Sequence, residues 1–98
     1  MPAYFIAFRD KMKDAAKYAA YLEKAGPTIN SHPSRLLVAN GALTPLEGAS
    51  PDGVVVIEFP DVAAARAWYD SPEYQAIIGE RLAVTEGRAV IVEGMPDA

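Results

Sequence analysis

One arginine on the apolar stripe of a helix is the residue of this chain that most invites chemistry. Tyr74, Ile77, Ile78, Arg81 and Thr85 recur at helical spacing, which puts Arg81 in the middle of the apolar face. A buried guanidinium without a partner costs roughly several kcal/mol. It therefore pairs with a strand carboxylate, Glu58 or Glu93, or with a carbonyl, or its stem packs while its head reaches water. The sharper alternative is that its planar fork anchors the carboxylate of a ligand. His32 is the only histidine. An imidazole is a candidate general base, although a histidine on the Pro-containing loop from Thr28 to Ser34 is more simply solvent-exposed. Glu58 is either the partner of Arg81 or a carboxylate base raised in pKa by burial. Tyr4, Tyr18, Trp68, Tyr69 and Tyr74 are either core aromatics or the walls of a pocket for a small aromatic or fatty acid.

The candidate catalytic set is thus His32, Glu58 and Arg81. The candidate ligand-binding set is Arg81, Tyr74, Trp68, Tyr69 and His32. No metal is expected, because the chain has one histidine and no cysteine and no Asp/Glu spacing of a carboxylate site. No cofactor is expected either. Gly41, Gly48 and Gly53 are too scattered for a phosphate loop. Ser71 reads as a helix cap rather than a nucleophile.

These residues must be positioned by short elements. Tyr4 to Phe8 is an apolar, aromatic run and reads as a first strand. Asp14 to Ala25 reads as a helix, with Ala15, Tyr18, Leu22 and Ala25 on one face, Ala19 beside them, and Lys13, Lys17 and Lys24 opposite. Gly26-Pro27 is its expected stop. Arg35 to Ala39 is a second strand, Asn40-Gly41 a bulge or turn, and Ala42 to Leu46 a possible edge continuation. Ser50-Pro-Asp-Gly53 is a turn, and Val54 to Phe59 is the strongest strand. Asp61 caps a helix from Val62 to Tyr69. Ser71-Pro72 restarts it, and it runs to about Thr85. Arg88 to Glu93 is the last strand.

Strand, helix, strand, strand, helix, strand is the split β-α-β pattern of a ferredoxin-like α+β sandwich, with both helices on one face of a four-stranded antiparallel sheet. Such a sheet normally alternates apolar and polar residues. Here Tyr4 to Phe8, Val54 to Ile57 and Val90 to Val92 are apolar throughout. The second face needs a cover, and a second copy of the same sheet across a two-fold axis supplies one. The expectation is a dimeric α/β barrel.

The 98 residues bound the chain to one domain, residues 1–98. The formal net charge of −4, with dispersed Lys and Arg, argues against nucleic acid and anionic membrane as partners. The opening apolar run meets Arg9 and Asp10 too soon for a signal or a span. A cytoplasmic protein is expected.

Glu58-Phe59-Pro60, Ala65 through Ala67-Trp68-Tyr69, Ser71-Pro72-Glu73-Tyr74-Gln75 and Val92-Glu93-Gly94 resemble the signature of the domain-of-unknown-function family numbered 1330. Ala3-Tyr4 and Leu46-Glu47-Gly48 fit the same pattern. The resemblance implies a dimeric α/β barrel, in a superfamily that also holds cofactor-free monooxygenases, lactone isomerases and haem-binding relatives. The chain departs from the family at Asn30 to Arg35, at Ala39-Asn40-Gly41 and at Ala49 to Gly53. Two functional readings follow. The first is a dimeric module binding a small apolar or carboxylated molecule between sheet and helices. The second is a cofactor-free monooxygenase- or isomerase-like enzyme acting on a small aromatic or lactone.

Overall fold

A computed structural model of the chain describes residues 1–96. Four strands, β1 (Ala3–Met12), β2 (Arg35–Ala39), β3 (Gly53–Phe59) and β4 (Thr85–Glu93), form one antiparallel sheet in the order β2-β3-β1-β4. Helix α1 (Ala15–Asn30) links β1 to β2. Helices α2 (Val62–Tyr69), α3 (Pro72–Gln75) and α4 (Ile78–Val84) link β3 to β4. This is the ferredoxin-like arrangement expected from the pattern of elements. Among the described residues no helix is long and apolar enough to cross a membrane.

The pairing register separates the two faces of the sheet. Phe5 lies opposite Ile57 and Ile91, and Ala7 opposite Val55 and Ala89. Phe5, Ile57 and Phe59 belong to the buried core, with Ala7, Val55 and Ile91 packed against it. Their neighbours point the other way, because successive strand side chains alternate. Ile6 lies opposite Val56 and Val90, and Tyr4 opposite Glu58 and Val92. Ile57 therefore meets the helices, and Val56 belongs to the open face.

Two strands are longer than their composition implies. β1 runs on through Arg9, Asp10 and Lys11, because pairing with β4 carries it past a bulge to Lys11 opposite Glu86 and Met12 opposite Thr85. β4 accordingly starts at Thr85, with Gly87 inside it. A Cβ at Gly87 would overlap the Phe8 carbonyl oxygen, so the close approach of the two backbones requires glycine there. The stretch from Ala42 to Leu46 forms no strand; residues 41–50 are exposed throughout.

Helix α1 also departs from expectation. Asp14 accepts from the Lys17 backbone N–H and starts it, as a capping carboxylate does. It does not stop at Gly26-Pro27. Pro27 removes only one N–H, and tertiary bonds hold the turn beyond it. Thr28 Oγ1 donates to the Ala25 carbonyl at 2.7 Å and accepts from Trp68 Nε1 at 3.1 Å. The buried positions are Tyr18, Tyr21, Ala25 and Thr28, whereas Ala15, Ala19 and Leu22 are exposed. The helix is turned so that Tyr21, not Leu22, enters the core.

The last expected helix is in two pieces. Ser71 caps α3 by accepting from the Tyr74 N–H at 3.2 Å. The chain then breaks at Ala76 and Ile77 before α4. That break keeps Tyr74 fully buried while α4 turns to lie along α1, where Lys24 bonds Glu80 at 2.9 Å.

Candidate functional site

The helix-covered face of the sheet is not completely filled. A cavity of about 220 Å³ remains between the sheet and α1. Phe5, Ala7, Val55 and Ile57 form its floor, Tyr18, Tyr21, Ala25 and Ile29 its roof, and Trp68 and Arg81 close it laterally. Leu36, Ala39 and Asn40 bound it on the side of β2, the edge strand. Alanines at 7, 25 and 39 leave the room that larger side chains would take. Cores are otherwise close-packed, with few voids larger than a water molecule.

The polar groups around the cavity differ in how fully they are committed. Tyr21 and Tyr74 share a hydroxyl–hydroxyl bond of 2.7 Å. Trp68 stacks at 4.3 Å between ring centroids on Tyr74, and its N–H is taken by Thr28. Burial, and then the neighbouring Tyr74, push the Tyr21 phenol far above its ordinary pKa, so it stays neutral. The Tyr18 hydroxyl accepts from Asn40 Nδ2 at 3.2 Å.

Arg81 is the exception. It lines the cavity in a half-buried position, and its Nε is buried without a hydrogen-bond partner. Among the described residues no carboxylate forms an ion pair with it. Burial alone would lower its pKa; Tyr74, which also hydrogen-bonds the guanidinium, together with Tyr21 and Tyr69 outweighs burial and raises it.

A second arginine lies behind two of the lining residues, Asn40 and Tyr18. Arg9 Nε pairs with Asp52 at 2.5 Å, Nη1 donates to Asn40 Oδ1 at 3.1 Å, and the guanidinium lies 4.8 Å from the Tyr18 ring centroid. Asn40 takes a left-handed φ of 57° to receive it. A Cβ at Gly53 would collide with both Arg9 and Asn40, so the clamp needs glycine beside it.

The residues singled out from the sequence divide accordingly. Trp68 and Arg81 line the cavity, and Tyr74 backs it through Tyr21. Tyr69 faces a different cleft, with Val62, Arg66 and Ile91. His32 follows α1, with Nδ1 3.0 Å from the Thr28 carbonyl, and does not line the cavity. The expected pairing of Arg81 with Glu58 or Glu93 is not formed. Glu58 alternates with the buried Ile57 and Phe59, so it lies on the open face, paired with Arg35 at 3.2 Å. Glu93 sits opposite Ala3, at the far end of β4 from Arg81. His32, Glu58 and Arg81 therefore do not converge as a catalytic set. Tyr21, Asn40 and Arg9 were not read as site residues. Only Tyr21 carried a signal, its 18-21-25-28 phase, which the competing Leu22 phase concealed. Among the described residues no three His, Asp or Glu side chains come together as a metal site would need.

Comparison with known proteins agrees with the fold. A protein of unknown function from Rhodopseudomonas palustris superposes with a TM-score of 0.73 at 20% identity, over 98% of this chain and 84% of that one. A protein from Jannaschia sp., described as dimeric and ferredoxin-like and of unknown function, gives 0.72 at 16% identity, over 96% and 100%. SnoaB of Streptomyces nogalater, a cofactor-independent oxygenase, gives 0.65 at 12% identity, over 98% and 95%. At these identities the likeness is one of fold. No curated protein matches the chain. The domain of unknown function DUF1330 matches residues 2–95, and the chain belongs to that family.

Proposed function

We propose that this protein is a self-associating module that holds a small, mainly apolar molecule between its sheet and α1. The observation that carries the reading is the cavity itself. Binding sites are concave, mostly apolar, and carry a few placed polar groups, and this one has aromatic walls with a single cation that no described carboxylate pairs with. Its volume exceeds the roughly 150 Å³ that admits benzene and falls short of the roughly 300 Å³ of a drug-sized site.

Self-association is supported by the open face. Ile6, Val56 and Val90 form an aliphatic row across β3, β1 and β4, and Val38 and Val92 extend it with 37% and 46% exposure. Charge pairs stand at its two ends, Arg35–Glu58 and Arg88–Asp10. An apolar centre with a polar rim is the composition of a protein interface, and structural neighbours are described as dimeric.

A catalytic reading needs a group that takes a proton inside the cavity. The cavity lining offers no carboxylate and no imidazole, and the Tyr21 phenol is held neutral. Binding is the better-supported reading.

The test is titration of the intact protein with toluene and benzyl alcohol, followed by NMR. Resonances of Tyr18, Tyr21 and Trp68 should shift together in the wild type. They should not shift in Ala25→Leu, which fills the space. Shifts confined to the surface, or none at all, would overturn the proposal.

A further inference from the structure

We propose that the guest is an aromatic monocarboxylate of about benzoate size, its carboxylate held by Arg81 and its ring packed against Phe5 and Trp68. This rests on the cavity being a binding site and assigns the class of molecule it takes.

Charge is the first argument. Arg81 is a cation at the cavity wall with a buried Nε that no acceptor reaches. A cation half-withdrawn from water gains from a counter-charge beside it. The Tyr74 hydroxyl bonds the guanidinium, but it is a neutral acceptor already shared with Tyr21 and leaves the charge uncompensated. No described carboxylate pairs with Arg81, so an anion from outside would supply the counter-charge.

The charge count then selects a monoanion. The other guanidinium near the site, Arg9, which contacts the lining residue Asn40, is neutralised by Asp52. One uncompensated positive charge remains, too little for a phosphate dianion. The planar guanidinium fork matches a carboxylate, and its hydrogen bonds to that group are charge-assisted.

Shape selects the body. Trp68 has spent its N–H on Thr28, and the Tyr21–Tyr74 bond uses one of that pair's two O–H donors, so these residues offer mainly ring faces and edges. Phe5 and Trp68 already meet edge to face at 5.1 Å, so an aromatic guest packs beside this pair and extends the ring cluster. The same commitment disfavours sugars and other polyols, whose hydroxyls would be buried unpaired.

Calorimetric and thermal-shift titrations with benzoate, hexanoate and benzamide, the neutral isostere of benzoate, test this. In the wild type benzoate should bind about tenfold more tightly than benzamide, the range of one charge-assisted hydrogen bond. Hexanoate should bind more weakly than benzoate. Arg81→Met should bind benzoate and benzamide equally. Arg81→Lys, which keeps the charge and loses the fork, covers the case in which Met unfolds the chain. It should fold and bind benzoate less tightly than the wild type. In the unmodified protein the Arg81 Nε–H resonance should move with benzoate and stay with benzamide. Equal binding of benzoate and benzamide by the wild type, or undiminished benzoate binding by the variants, would overturn the carboxylate assignment and leave the cavity reading standing. Tighter binding of hexanoate would overturn the aromatic class alone. Failure of all three, and of toluene, would overturn both readings.

Discussion

The two faces of this sheet are built from nearly the same apolar residues, yet they present opposite surfaces. The face under the helices is uneven. Phe5, Trp68, Tyr21 and Tyr74 interlock by ring edges and hydrogen bonds around an unfilled space. The open face has an aliphatic row of Ile6, Val56 and Val90 at its centre, Tyr4 and Phe8 on either side of it along β1, and ion pairs at its ends. Aromatic residues with polar tips fix one geometry and can leave a shaped void. Branched aliphatics without tips make a surface suited to another flat surface. Composition alone does not distinguish the two; their register does.

The largest effect should come from placing the same charge on adjacent residues. Ile57→Asp buries an unpaired carboxylate under the helices, costs roughly 3–5 kcal/mol, and should unfold the chain, read by circular dichroism. Val56→Asp puts that charge on the open face. It should leave a folded chain of half the wild-type mass in sedimentation at micromolar concentration. A wild-type mass for Val56→Asp would break the comparison, because the open face would then not be where copies meet.

A smaller effect tests the hydroxyl pair of the covered face. Tyr21→Phe leaves the Tyr74 hydroxyl buried without its partner and should cost about 1–3 kcal/mol in denaturant melts. Adding Tyr74→Phe should recover most of that loss, since removing both hydroxyls removes the unmet demand. An additive double mutant would mean that the tyrosines contribute by packing only.

The smallest effect lies on neither face and serves as a control. Glu73 is fully exposed, and its own backbone N–H and then the Ser71 hydroxyl lower its pKa. A lowered folded value stabilises the fold above the unfolded carboxylate pKa near roughly 4.3. That contribution is lost as pH falls through the lower folded value. Glu73→Gln should slightly flatten the acid limb of the stability curve, leaving self-association and ligand titrations unchanged.

Much of the architecture was legible where local chemistry is decisive. Asn40 closes β2 at Ala39, and Pro60 with Asp61 separates β3 from α2, so the bounds of β2 and α2 match those read from the sequence. The helical phase of Arg81 was also readable. Its environment was not. Strands apolar at every position carry no mark of which side faces the helices, so nothing showed that Glu58 points away from Arg81. The Gly26-Pro27 signal was sound locally, but the bond from Trp68 to Thr28 overrode it from across the core. Tyr21 was missed because the Tyr18-Leu22-Ala25 spacing fits a helix face as well as the one actually buried.

The clamp at Arg9 has a consequence for how this chain can change over generations. One guanidinium fastens both ends of the exposed segment, Asn40 on one side and Asp52 on the other. The ends are thus held at a fixed separation whatever lies between them. Closing a flexible loop of twice the length costs only about 0.6 kcal/mol more. Residues 41–51 are therefore the part of the molecule most open to insertion and rewriting. A lineage could extend them over the nearby cavity mouth and acquire a new preference for guests, with the sheet, the aromatic network and Arg81 left as they are.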